Sequence, residues 1–210
     1  SHNLYVGAIG MLKVTGSYSH HAKTGHLLKS RAGKNLIFYN RLTDETGGTA
    51  SYELEFPSGG LAYVVGNVIQ QSSTTDNSNV ISFGAEGYSS RENRLYLANN
   101  TLVDMRPQGG QYLRVKAGAE VVAINNLLVG KSRLEAAGAG EYRNNFNVDL
   151  DEFALAVRED FHLKPGSRLI GKAVAVDAVD GIALRPTAEY KHPRSIRVLK
   201  DGTLSPGAMQ

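Results

Sequence analysis

Lys29 and Arg31 stand two residues apart in the stretch Gly25-His26-Leu27-Leu28-Lys29-Ser30-Arg31-Ala32. On a strand, residues at that spacing share a face. Two cations on one face suit β-elimination on a uronate. One neutralises the carboxylate, and a base then removes the acidified C5 proton. A neighbouring cation lowers a lysine pKa toward the working range. On this reading Lys29 is the base, Arg31 neutralises or orients, and His26 or His21 protonates the leaving oxygen. The same residues also fit a ladder of cross-strand ion pairs. Glu53 and Glu55 repeat the spacing with the opposite sign, and Arg114 and Lys116 repeat it again with positive sign. Carboxylates one strand away, at about 4.8 Å, would raise the Lys29 pKa and work against a base.

Glu53 and Glu55 also read as an acid/base pair for glycoside hydrolysis. Alternate residues on a strand lie roughly 6.5–7 Å apart, which falls in the spacing of inverting enzymes. His20, His21 and His26 fall within seven residues. Adjacent His20 and His21 face opposite sides of a strand, so a converging metal set does not follow. No metal ligand is assigned. Tyr52, Tyr88 and Tyr112 offer flat faces for a sugar ring, or else core packing. The expected substrate-binding residues are therefore Glu53, Glu55, Tyr52, Arg114, Lys116 and Tyr112.

A repeat must hold these side chains in place. Six stretches read alike: Gly16-Ser17-Tyr18-Ser19, Tyr39-Asn40-Arg41-Leu42, Gly66-Asn67-Val68-Ile69, Asn99-Asn100-Thr101-Leu102, Asn125-Asn126-Leu127-Leu128 and Asn144-Asn145-Phe146-Asn147. From Ser17 through Asn40, Asn67, Asn100, Asn126 and Asn145 the steps are 23, 27, 33, 26 and 19 residues. Most follow an apolar run, such as Tyr63-Val64-Val65 or Val121-Val122-Ala123-Ile124. A strand, an Asn turn and another apolar pair at this period is the signature of a solenoid. Asn tolerates the left-handed backbone region, and stacked amides can bond one another from coil to coil. The pattern predicts coils over residues 4–130, with the last coil and a capping segment over 131–210.

Within each coil a further strand precedes the Asn turn: His26–Arg31, Ser51–Phe56, Val80–Gly84 and Gln111–Lys116. Alternation predicts Tyr52, Leu54 and Phe56 inward and Glu53 and Glu55 outward. The insertions Thr43–Ala50, Gln70–Asn79 and Ala85–Asn93 are polar or Gly-rich and read as surface loops, the usual binding face of a repeat stack. Asp149 to Arg158 predicts a short helix with Phe153 and Val157 on one face.

The chain has 210 residues, 41% of them hydrophobic, enough for a sizeable core. Its 23 Lys and Arg against 20 Asp and Glu leave no clustered basic stripe, which argues against a nucleic-acid partner. With no Cys there is no disulfide framework. No apolar run approaches the roughly 20 residues of a membrane helix, so membrane insertion is not expected. The abrupt entry into the repeat at Leu4 leads to the expectation of an N-terminal portion of the same solenoid.

These repeats resemble the right-handed parallel β-helix of the pectate-lyase-like superfamily. Two tail segments carry the resemblance further. Asp160-Phe161-His162-Leu163-Lys164-Pro165-Gly166-Ser167-Arg168-Leu169-Ile170-Gly171 is similar to the closing segment of many bacterial β-helix proteins, with Arg168 where Pro is usual. Pro206-Gly207-Ala208-Met209-Gln210 resembles their ending. The strand bearing Lys29, followed by Asn40, is similar to the lysine-bearing strand of the alginate lyase and chondroitinase B family. There Lys29 matches the base, while Glu55 and Phe56 stand where an acid Arg is expected. The resemblance implies an all-β, single-stranded right-handed parallel β-helix with an irregular C-terminal cap. It implies an acidic polysaccharide as partner, a calcium ion as the group that neutralises the uronate, and a secreted or periplasmic location. A polysaccharide lyase is the first expectation, a non-catalytic polysaccharide-binding or structural module the alternative, and a glycoside hydrolase the third.

Overall fold

The computed structural model describes residues 1–134 and 139–210. It is all-β, built on three parallel sheets whose strands follow one another coil by coil. Sheet A holds Tyr5–Val6, His26–Ser30, Tyr52–Phe56, Asn79–Phe83 and Gln111–Val115. Sheet B holds Met11–Thr15, Lys34–Phe38, Leu61–Val65, Arg94–Ala98, Glu120–Ile124 and Ala139–Arg143. Sheet C holds Tyr18–Ser19, Arg41–Thr43, Val68–Gln71, Thr101–Asp104, Leu127–Val129 and Phe146–Val148. The chain passes A, B, C in turn, so this is a β-solenoid. The expected sheet A strands stand within a residue of their predicted bounds.

The Asn corner joins sheets B and C, and its two positions divide the work. The first takes the left-handed region: Tyr39, Asn99, Asn125 and Asn144 have φ of 55, 51, 59 and 54°. The second forms a buried ladder. Asn100 Nδ2 donates to Val64 O at 2.9 Å and to Asn126 Oδ1 at 3.0 Å, while Asn100 Oδ1 accepts from the Asn67 backbone N–H at 2.9 Å. The same bonds recur from Asn40 to Asn145. Each buried amide is thereby satisfied by the coils on either side.

Interior packing involves side chains from all three sheets, among them Leu28, Ile37, Leu54, Phe56, Val64, Ile81, Leu97, Leu102 and Leu113. In sheet A the simple alternation fails. Leu27 and Leu28, Val80 and Ile81, and Tyr112 and Leu113 are successive pairs whose members both enter this one core. Glu53 holds the corresponding place beside Leu54 and is 0% exposed. The expectation of an outward Glu53 is therefore corrected, and Tyr112, also 0% exposed, is a core residue. The pairing register skips this position between the strands carrying Leu27 and Glu53, so the strands bend where two neighbours turn inward.

The outer faces of sheets B and C are apolar as well, and residues 150–210 cover them. Leu184 packs on Leu36, Tyr63, Val65, Tyr96 and Ala98 outside sheet B. Phe153, Phe161, Leu169 and Ala208 pack on Val68, Val103, Leu127 and Val129 outside sheet C. The segment is thus a strap along the flank of the stack, with Thr187 N bonded to Tyr39 Oη at 3.0 Å near the first coils. The last coil's strand Ala139–Arg143 stays largely exposed, so the strap does not sit over the end as a cap. The first-position asparagines clamp it: Asn125 donates to Val174 O and accepts from Val174 N, each at 2.9 Å.

The predicted helix at 149–158 is absent. Two 3₁₀ turns, Leu150–Glu152 and Ala156–Arg158, flank a strand, Phe153–Leu155, that pairs with Asp160–Leu163. Phe153 packs edge-on against Phe161 at 5.2 Å, and Val157 is 88% exposed. Burial of Phe153 under the strap, not an amphipathic face, decides the local structure. The closing residues also have a physical reason. Gly207 has φ +93°, and a Cβ there would lie 2.6 Å from Leu127 Cδ1, so only glycine passes this close to sheet C.

Candidate functional site

Register places Tyr5, Lys29, Glu55, Ser82 and Arg114 in one column across sheet A. Lys29 and Glu55 are the direct neighbours that the ladder reading requires. Lys29 Nζ lies 3.0 Å from Glu55 Oε2 and 3.0 Å from Glu86 Oε1. Arg31 donates to Glu86 Oε2 at 2.6 Å, to Ser58 Oγ at 3.2 Å and to Tyr5 Oη at 2.8 Å. His26 places Nε2 3.1 Å from Glu55, its ring stacked on Tyr52 at 5.3 Å and Nδ1 2.6 Å from His2 Nδ1. One compact network therefore joins Lys29, Arg31, His26, Tyr52 and Glu55.

Glu86 comes from the loop after Phe83, which folds back over sheet A. Tyr88 anchors that loop by packing on Phe83 at 6.0 Å and by donating its hydroxyl to Lys116 O. Gly84, at φ +80°, makes the turn; a Cβ there would lie 2.3 Å from the Tyr88 ring. The sequence marked this loop as part of the binding side but gave no reason to select Glu86. Tyr5 and His2 also went unselected, because they join the cluster through the first coil.

The charges set each other's protonation. Burial alone would lower the Lys29 amine, but hydrogen bonds to Glu86 and Glu55 outweigh it and hold the pKa above its ordinary value. Burial alone would raise Glu55, but the bonds from His26 and Lys29 bring it below the usual carboxylate range. Bonds from Lys29 and Arg31 lower Glu86 in the same way. Lys29 is thus a firmly protonated ammonium, which cannot take a C5 proton.

Arg114 lies on the same sheet and Lys116 directly follows its strand, both exposed, with no side-chain partner among the described residues. His21 stands apart from the network. It sits in the turn after sheet C, facing His20 Nδ1 at 2.7 Å and Thr46 O at 3.3 Å. Glu53 and Tyr112 are inside the coil, so neither reaches the surface that Lys29 and Glu55 form. The acid/base pairing of Glu53 with Glu55 is therefore not formed.

Among the described residues no group of three or more His, Asp or Glu could hold a metal ion. The two carboxylates of sheet A are already engaged by Lys29, Arg31 and His26, so this donor set does not fit the calcium that the resemblance implied. No helix among the described residues is long and apolar enough to cross a membrane. No protein-family model matches the chain, and neither a curated protein nor a solved structure does.

Proposed function

We propose that the chain is a carbohydrate-binding β-solenoid that holds an acidic polysaccharide along sheet A without cleaving it. The fold proposed with it is the right-handed parallel β-helix of the pectate-lyase-like kind. A single observation carries the reading: Lys29 is pinned between Glu55 and Glu86, while Arg114 and Lys116 on the same sheet keep their charges free. The face then offers four cations against two carboxylates. The free pair suits uronate carboxylates, and the Lys29 network stiffens the platform beside them. Elimination with Lys29 as base needs the neutral amine, which two carboxylates disfavour.

The test is affinity electrophoresis in gels containing pectate, alginate or a glycosaminoglycan, with the absorbance of unsaturated uronate followed in parallel. Retardation by an acidic polymer is expected, weakened in the Arg114→Gln/Lys116→Gln variant and by salt, with no rise in absorbance. An absorbance rise that Lys29→Ala abolishes would restore the lyase reading. Unretarded migration in every polymer would remove the binding reading.

A further inference from the structure

A cleft of about 440 Å³ lies on the other side of the molecule, between sheet C and the strap. Its walls include Tyr18 and Arg41 from the sheet, and Arg158, Asp160, His162 and His192 from the strap. Most of its charges are spent on one another. Arg41 binds Glu45 at 2.9 Å and also pairs with Glu159. His162 places Nδ1 2.5 Å from Asp160 and Nε2 3.3 Å from Glu189. Tyr18 gives its hydroxyl to Glu45, and its ring is packed by His20 at 4.2 Å and by the Arg41 guanidinium at 4.8 Å. These groups build a rigid wall.

Two groups at the lip have no ion-pair partner among the described residues, and of these His192 packs its ring edge-on against Tyr18 at 5.3 Å. Arg158 is exposed and has no side-chain partner among the described residues. Its neighbour Glu159, at φ +60°, turns the chain so that Glu159 reaches Arg41 while Arg158 stays at the mouth. His192 is the second. The Tyr190 hydroxyl donates to Pro193 O at 2.8 Å, so it has no proton left for His192 Nδ1 at 3.2 Å. His192 Nδ1 faces that hydroxyl, so Nε2 is the ring nitrogen left for a ligand. A guanidinium asks for a carboxylate, and an imidazole nitrogen pairs with a hydroxyl, which can both donate and accept.

We propose that this cleft binds a hydroxylated carboxylate the size of one sugar acid, its carboxylate on Arg158 and a hydroxyl on His192 Nε2. The site is separate from sheet A and stands or falls independently of it.

Ligand-observed NMR titration with sodium galacturonate tests the site, with galactose, acetate and inorganic phosphate as comparison probes. Galacturonate should bind, and each comparison probe should bind about tenfold more weakly or less, because each lacks one of the two groups or the carboxylate plane. Arg158→Gln should weaken galacturonate by about tenfold or more, the loss of one charge-assisted bond. His192→Phe should erase the preference for galacturonate over acetate. Arg158 is exposed and unpaired, so its variant should keep the parent's thermal midpoint. Galacturonate that fails to bind, acetate or phosphate that binds equally well, or an unchanged Arg158→Gln affinity would overturn the proposal. So would loss of galacturonate binding in the Arg114→Gln/Lys116→Gln variant, since the ligand would then sit on sheet A. Loss of polymer retardation with galacturonate binding intact would count only against the sheet A reading.

Discussion

Glu53 offers the sharpest test of the interior. Both carboxyl oxygens are buried without a hydrogen-bond partner among the described residues, and the side chain is 0% exposed. Asp104, paired with Gln71 on sheet C, and Asp44, just past the strand Arg41–Thr43, stand close by. Desolvation first, then these two carboxylates, push the Glu53 pKa well above its ordinary value. In the unfolded chain a glutamate ionises near 4.3. Above that pH the unfolded state sheds a proton that the folded state keeps. The folded state therefore loses about 1.4 kcal/mol of stability per pH unit until Glu53 itself ionises. The sign is that of a raised pKa: the contribution is complete below pH 4 and falls as pH rises.

Glu53→Gln keeps the shape and removes the proton linkage. Between pH 5 and pH 7 the wild type should lose stability relative to the variant, by at most roughly 2.5 kcal/mol, the limit in which Glu53 keeps its proton throughout. For a chain of this size that limit is roughly 5–10 °C in thermal midpoint. Other groups titrate as well: His162 is raised, chiefly by its bond to Glu189, and Glu55, Glu86, Asp160 and Glu189 are lowered by their partners. They are common to both proteins and cancel in the difference. The measurement is thermal unfolding by circular dichroism from pH 4 to pH 8, plotted as variant minus wild type. A difference that stays flat across this range, whatever its offset, would mean that Glu53 is charged in the folded state and that the reasoning fails.

Two further perturbations probe the scaffold. Asn100→Ala should cost about 2 kcal/mol or more in a urea titration, because it orphans Val64 O and the Asn67 N–H at roughly 1–3 kcal/mol each, while Asn126 Oδ1 keeps its bond from the residue 100 N–H. Ser17→Ala, at the ladder's first rung, should cost under about 1 kcal/mol, since Ser17 Oγ makes one long bond of 3.4 Å to Thr15 O; equal midpoints for the two variants would deny the ladder its role. Gly207→Ala should loosen the end of the strap by about 1–3 kcal/mol, from its φ and the contact with Leu127. Hydrogen exchange at residue 207, whose N–H donates to Asn125 O at 2.8 Å, should accelerate at least tenfold, and unchanged protection would refute the close approach.

The solenoid was legible because its corners repeat a chemical demand. A left-handed residue followed by a buried amide is needed at every turn, and the Asn pairs meet that demand at unequal steps of 23, 27, 33, 26 and 19 residues. The Lys29–Glu55 contact was legible for the same reason, since a fixed coil register turns sequence distance into adjacency. Glu86 was not, because a loop with no register of its own delivers it. The inward turn of Glu53 was not, because nothing in Ser51-Tyr52-Glu53-Leu54-Glu55-Phe56 departs from strict alternation. A bend at the start of each sheet A strand overrides the side-chain period there.

The strap shows where the sequence held more than the alternation rule extracted. A strand with one wet face alternates, whereas Tyr63-Val64-Val65 and Leu95-Tyr96-Leu97 are apolar at both parities. In a solenoid one parity fills the interior, so the other must be covered from outside. Tyr63, Val65 and Tyr96 are that second parity, and Leu184 and its neighbours on the strap cover them. Sheet A lacks such runs at its centre, where Lys29, Glu55 and Arg114 interrupt them, and the loop bearing Glu86 and Tyr88, in place of the strap, lies over part of it. The sheet left to that polar loop is the one whose outer positions are charged. That is the physical reason to look for a polar, extended ligand on sheet A and for a small one where the strap meets sheet C.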